Sequence, residues 1–128
     1  MDRILIVDDE FLIRYTLEEG LKDRGYDAYS AATVEEGLEF VRKYHPGVLL
    51  LDNLLENSVG MDEIVNFKNA DEELQVIMMT AYGSVSQAVE ATKRGAYDYI
   101  LKPFDVDEID MLIKRCLEQK RLPPQTSH

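Results

Sequence analysis

Cysteine and long apolar runs are scarce in this sequence, and basic residues are far outnumbered by acidic ones. The single cysteine, Cys116, excludes an internal disulfide and a metal site built on thiolates, and makes a reducing cytoplasm the simplest compartment to expect. No apolar run nears the ~20 residues that a bilayer crossing needs. The N-terminus has no basic stretch leading into an apolar signal segment, so a soluble protein that stays where it is made is expected. Lysine and arginine number 14 against 25 aspartates and glutamates, a net charge of −11. That field repels a polyanion, so direct binding of nucleic acid by this segment is not expected. Solubility alone would account for such a charge, and so would carboxylates grouped around a cation; only their positions decide. Internal repeats are absent as well, and 128 residues that are 45% hydrophobic suit one domain with one core.

Four short apolar runs stand out: Ile4–Val7, Val48–Leu51, Val76–Met79 and Tyr97–Leu101. The first three lack polar alternation, as expected of parallel strands buried on both faces. A weaker strand is expected over Ala28–Ala31. Between the runs lie segments with helical spacing: Leu12 with Tyr15 or Thr16 and Leu21; Leu38, Val41 and Arg42; and Ile109, Leu112, Ile113, Cys116 and Leu117. Thr33 with Glu36, Ser84 with Gln87, and Asp105 with Glu108 fit the capping-box spacing of helix starts. Gly25, Pro46 and Gly95 fall where helices should stop. A β-α alternation repeated five times predicts an open parallel sheet with helices on both faces. Residues 1–122 form the predicted domain. The proline-containing segment 123–128 is expected to be a disordered tail or the stub of a linker.

Doubly wound sheets bind ligands beyond the carboxyl ends of their strands. Asp8, Asp9 and Glu10 follow the first run, Asp52 the second, Thr80 the third, and Lys102 with Pro103 the last. If the first and third strands are neighbours, carboxylates, a hydroxyl and an ammonium meet at one edge. Crowded carboxylates repel unless a cation sits among them. Such oxygen ligands suit Mg²⁺, which takes one or two carboxylates and keeps waters and a phosphate oxygen. A lysine and a threonine hydroxyl suit a phosphoryl group, and an aspartate can accept one by nucleophilic attack. Singly, each residue has an ordinary reading: helix cap, solvated loop, strand-ending lysine. The convergence at four strand ends carries the argument.

These residues resemble a known family. Ile4–Glu10 is similar to the first strand and acidic pair of the receiver domains of bacterial two-component response regulators. Val48–Asp52 resembles their third strand ending in the phosphoacceptor, Thr80–Gly83 their switch threonine and its loop, and Gly95–Phe104 their last strand and lysine-proline turn. The similarity runs from about Arg3 to Leu122. It implies a flavodoxin-like (βα)5 doubly wound sheet of strand order 2-1-3-4-5. It further implies that Asp52 takes a phosphoryl group from a sensor histidine kinase or a small phosphodonor. Asp8, Asp9, Asp52 and the backbone carbonyl of Leu54 would bind Mg²⁺; Lys102 and Thr80 would contact the phosphoryl oxygens. Tyr99 would be the aromatic switch that turns inward when Thr80 moves, altering the face made by the fourth helix, fifth strand and fifth helix. A cis Lys102–Pro103 bond is implied too.

Thr80–Phe104 looks most like receivers of the nitrogen-regulator class of transcriptional activators, where an ATPase and a DNA-binding domain follow. This chain ends before any such domain, so a fragment is expected. A homodimer through the fourth and fifth helices fits the class. Glu56 stands where family members usually carry proline, and Val59 where they carry an acidic residue, while Gly60 fits; a less restricted 54–59 loop is expected. Leu54 and Tyr82 match positions that modulate hydrolysis of the aspartyl phosphate, and their bulk predicts a long-lived phosphorylated form. Two other classes compete: a receiver-like module that signals by binding alone, and a Mg²⁺-dependent phosphatase. The phosphatase reading lacks a second carboxylate two residues after Asp52, where Leu54 stands.

Overall fold

The computed structural model describes residues 2–55, 58–81 and 83–121, without the side chains of Lys120 and Arg121. Strands β1 (Arg3–Val7), β2 (Asp27–Ala31), β3 (Val48–Asp52), β4 (Gln75–Thr80) and β5 (Asp98–Leu101) alternate with helices α1 (Phe11–Asp23), α2 (Val34–Tyr44), α3 (Gly60–Ala70), α4 (Val85–Lys93) and α5 (Val106–Arg121). All pairings are parallel and the order is β2-β1-β3-β4-β5, the predicted doubly wound sheet. Among the described residues no helix is long and apolar enough to cross a membrane.

The continuous apolar runs are explained by burial on both faces. Ile4, Ile6, Val48, Leu50, Ile77 and Met79 pack with α1 and α5, while Leu5, Val7, Leu49, Leu51, Val76 and Met78 pack with α2, α3 and α4. Alternate residues of one strand thus serve opposite cores, as a two-residue period requires. Each fully buried leucine or isoleucine contributes roughly 1.5–3 kcal/mol. Cys116 is buried on α5 and belongs to the first of these cores.

The caps follow the sequence. Thr33, Ser84 and Asp105 accept hydrogen bonds from the backbone N–H groups of Glu36, Gln87 and Glu108 at 3.2, 3.2 and 2.9 Å. Gly25 and Gly95 take φ of 92° and 110° beyond helix ends, where a side chain would be strained. Helix α2 stops one residue before Pro46, at His45, which takes a left-handed φ of 48°. The expected stripe on α1 needs correction. Leu12 and Tyr15 are 73% and 55% exposed and Thr16 is exposed; the helix buries Leu17 and Leu21, with Ile13 partly buried. Arg42, grouped with Val41 by spacing, is exposed too. Asp52 and Thr80 close their strands instead of following them, and β5 begins at Asp98, one residue after Tyr97.

Candidate phosphoacceptor and metal site

Parallel pairing brings every strand's carboxyl end to one edge. Val7 is in register with Leu51, Asp52 with Met79, and Thr80 with Leu101. The residues at or just after these ends are Asp8, Asp52, Thr80 and Lys102, and the first three are buried, 0%, 4% and 1% exposed. Strand order reverses between β1 and β3, which makes this the crevice where a doubly wound sheet takes ligands.

Asp8, Asp9 and Asp52 each offer a carboxylate oxygen within 4.8 Å of the others. The Lys102 ammonium lies 3.1 Å from Asp8 Oδ2 and 3.2 Å from Asp52 Oδ1. One lysine against three carboxylates leaves negative charge in excess, a donor set that fits a hard divalent cation. Burial, followed by the negative charge of Asp8, raises the Asp52 pKa above the usual carboxylate range. Lys102 and the backbone N–H of Leu54 offset part of that rise. Burial disfavours the Lys102 charge, but attraction to Asp8 and Asp52 outweighs it and the lysine pKa is raised.

Local structure holds these groups. Asp8 Oδ1 accepts from the backbone N–H of Glu10 at 2.9 Å, and the Asp8 carbonyl accepts from Arg14 at 2.8 Å, tying β1 to the start of α1. The Lys102–Pro103 bond is cis, as expected from the resemblance, and Lys102 N–H donates to the Thr80 carbonyl at 2.6 Å. Leu54 forms an antiparallel bridge with Val59, and Leu55 N–H donates to Ser58 at 3.0 Å, so part of the loop is closed. Glu56 and Tyr82 lie outside the described residues. Gly60 is required here: a Cβ would collide with the backbone carbonyl of Asp52.

Two positioning residues were not foreseen. Buried Asn53 accepts from the N–H of Met61 at 3.0 Å and its carbonyl accepts from Gly60 at 2.7 Å, so it starts α3 in place of a local cap. Arg14 was hidden in an ordinary helical segment. Neither bond has a sequence signal, because each partner is six or more residues away.

Tyr99 is partly buried, with its hydroxyl against Gly83, where an added Cβ would collide with that hydroxyl and with Leu101. The ring therefore reaches the backbone of the segment between β4 and α4.

An open parallel sheet whose switch point gathers three carboxylates, a threonine and a bridging lysine defines a signalling domain of the doubly wound class. The chain belongs to the response regulator receiver domain family, whose model matches residues 4–114. It is 38% identical over 119 residues to sporulation initiation phosphotransferase F of Bacillus subtilis (strain 168), covering 93% of this chain and 96% of that protein. Nitrogen assimilation regulatory protein NtrX of Azorhizobium caulinodans is 37% identical over 121 residues, 93% of this chain but 27% of its own length. The beryllofluoride-activated NtrC4 receiver domain dimer superposes with a TM-score of 0.88 at 34% identity, covering 94% of this chain and 99% of that one. The chain is a response regulator receiver domain, a phosphorylation-dependent signalling domain, and relatives of the nitrogen-regulator type are among the proteins it resembles.

Proposed function

We propose that Asp52 is the phosphoacceptor. A carboxylate oxygen of Asp52 attacks phosphorus of a phosphohistidine or small phosphodonor, the bond to the donor's leaving group breaks, and an aspartyl phosphate results. Lys102 would pair with the transferred oxygens and Thr80 would donate its hydroxyl to them. Asp8, Asp9, Asp52 and the carbonyl of Leu54 would hold Mg²⁺, which when bound neutralises charge developing on the phosphoryl oxygens. The observation that carries this reading is the Lys102 ammonium set 3.1 and 3.2 Å from the two buried carboxylates Asp8 and Asp52.

The domain catalyses only its own phosphorylation and dephosphorylation, and its output is a changed face on α4, β5 and α5, with Tyr99 as the aromatic switch. On this reading the domain works in the cytoplasm, and its partners are a sensor histidine kinase, a C-terminal ATPase and DNA-binding output outside this chain, and a second copy. NtrX, of which this chain spans 27%, and the NtrC4 receiver dimer support that assignment. Segment 123–128, outside the described residues, would then be the start of the linker to that output. Bulk at Leu54 and Tyr82, the two positions that the resemblance links to hydrolysis of the aspartyl phosphate, would obstruct the attacking water, so the phosphorylated form is long-lived; a half-life of seconds with Mg²⁺ rules that out.

The test is intact-protein mass after incubation with a small phosphodonor, with and without Mg²⁺. A single phosphoryl adduct that needs Mg²⁺ and vanishes in Asp52→Asn is the expected result. An adduct persisting in that variant overturns the assignment of the acceptor.

A further inference from the structure

The ring of Tyr99 sits in a berth that only glycine permits. A Cβ on Gly83 would collide with the tyrosine hydroxyl and with Leu101, so position 83 is emptied for this ring. The hydroxyl is buried and has no hydrogen-bond partner. One other buried side-chain atom among the described residues shares that condition: the amide oxygen Oε1 of Gln87. Gln87 lies in the first turn of α4, four residues beyond Gly83, and α4 packs on β5, which carries Tyr99.

The two orphans are complementary. A phenol has a proton to donate and an amide oxygen accepts one. Buried polar groups are rarely left unpaired, since each forfeits its hydration. Gln87 is not engaged as a reciprocal cap. Its backbone N–H donates to Ser84 Oγ at 3.2 Å, while its side-chain oxygen is without a partner. Berth contacts fix the tyrosine, whereas the glutamine has three rotatable bonds, so the glutamine is the group free to adjust.

We propose that Gln87 is the latch of the Tyr99 berth: its side-chain carbonyl accepts the hydrogen bond of the Tyr99 hydroxyl and holds the ring inward. This rests on the switch reading and adds a residue to it. Gln87 is a positioning residue that acts through Tyr99 and touches no reacting atom. Losing the latch releases the ring toward solvent, where water satisfies the hydroxyl, and so shifts the balance of the α4–β5 face without altering Asp52.

The test uses the whole chain labelled with ¹³Cζ-tyrosine, the Tyr99 signal being identified by its loss in Tyr99→Phe. Exchange of the hydroxyl proton is read from the isotope shift in mixed light and heavy water. In the untreated chain, Gln87→Leu is expected to speed exchange about fivefold, the factor a typical net hydrogen bond supplies. Gln87→Glu, which keeps the acceptor, is expected to restore slow exchange. A folded Gln87→Leu chain that exchanges at the parental rate overturns the latch, as does failure of Gln87→Glu to restore it. The same spectra with beryllofluoride and Mg²⁺ separate the two readings: no response of any tyrosine counts against the switch, while the untreated comparison still decides the latch.

Discussion

At the scale of single residues, the site is a balance of charge that the fold maintains at a cost. Asp52 and Asp8 are buried side by side and share one ammonium, and burial followed by repulsion from Asp8 raises the Asp52 pKa. The sign of the linkage follows. A carboxylate whose folded pKa exceeds its unfolded value destabilises the fold above that folded pKa, and the penalty disappears below the unfolded value. With chelator present, Asp52→Asn is therefore expected to raise stability at pH 7. Lys102 keeps Asp8 as a partner, so no buried cation is stranded. The gain should fade as pH falls through the carboxylate range. Urea melts at pH 7 and pH 4 check this, and a variant less stable than the parent at pH 7 refutes it.

At the scale of elements, α1 tests which face of a helix the core takes. Leu17 is 1% exposed and Leu12 73%. Leu17→Ala is expected to cost about 2–4 kcal/mol, while Leu12→Ser stays within about 0.5 kcal/mol of the parent; equal losses in thermal melts would restore the stripe read from spacing. Spacing failed there because Phe11, Leu12 and Tyr15 are apolar yet face solvent, so hydrophobicity and burial part company. The strands were legible because both their faces are covered, which leaves an unbroken apolar run. Helix α3 had no visible start, since its first N–H groups bond to Asn53, seven and eight residues back, and not to a local cap. The strand-end residues of the site were readable in the same way as the strands, and Asn53 and Arg14 were not. The end of α2 yields another prediction. His45 pays for a left-handed φ of 48° and recovers a 3.2 Å contact between Nδ1 and Asp71. His45→Gly should be at least as stable as the parent, whereas His45→Val should lose about 1–2 kcal/mol. Thermal melts of the two variants decide it, and the reverse order would mean that the Asp71 contact outweighs backbone strain.

At the scale of the whole molecule, the net charge of −11 is distributed with a purpose that composition alone does not reveal. Two apolar layers sandwich the sheet and leave one edge where strands end in carboxylates, so folding itself gathers three carboxylates that could hold a cation. A ligand that binds only the folded state stabilises the whole domain by mass action, about 2.7 kcal/mol at a hundredfold excess over its dissociation constant. For a chain of this length that corresponds to a rise in Tm of about 8–12 °C. Mg²⁺ at saturating concentration should produce that rise in the parent chain, and chelator should abolish it. Asp9→Asn changes the half-exposed member of the triad and leaves the Lys102 contacts to Asp8 and Asp52 in place. It should therefore remove most of the Mg²⁺ response while the metal-free Tm stays near that of the parent. A parental response in this variant would mean that the ion stabilises by screening the overall negative charge. In that case sodium chloride of matched ionic strength would raise Tm as far as Mg²⁺ does, and the triad would lose its assignment as the cation site.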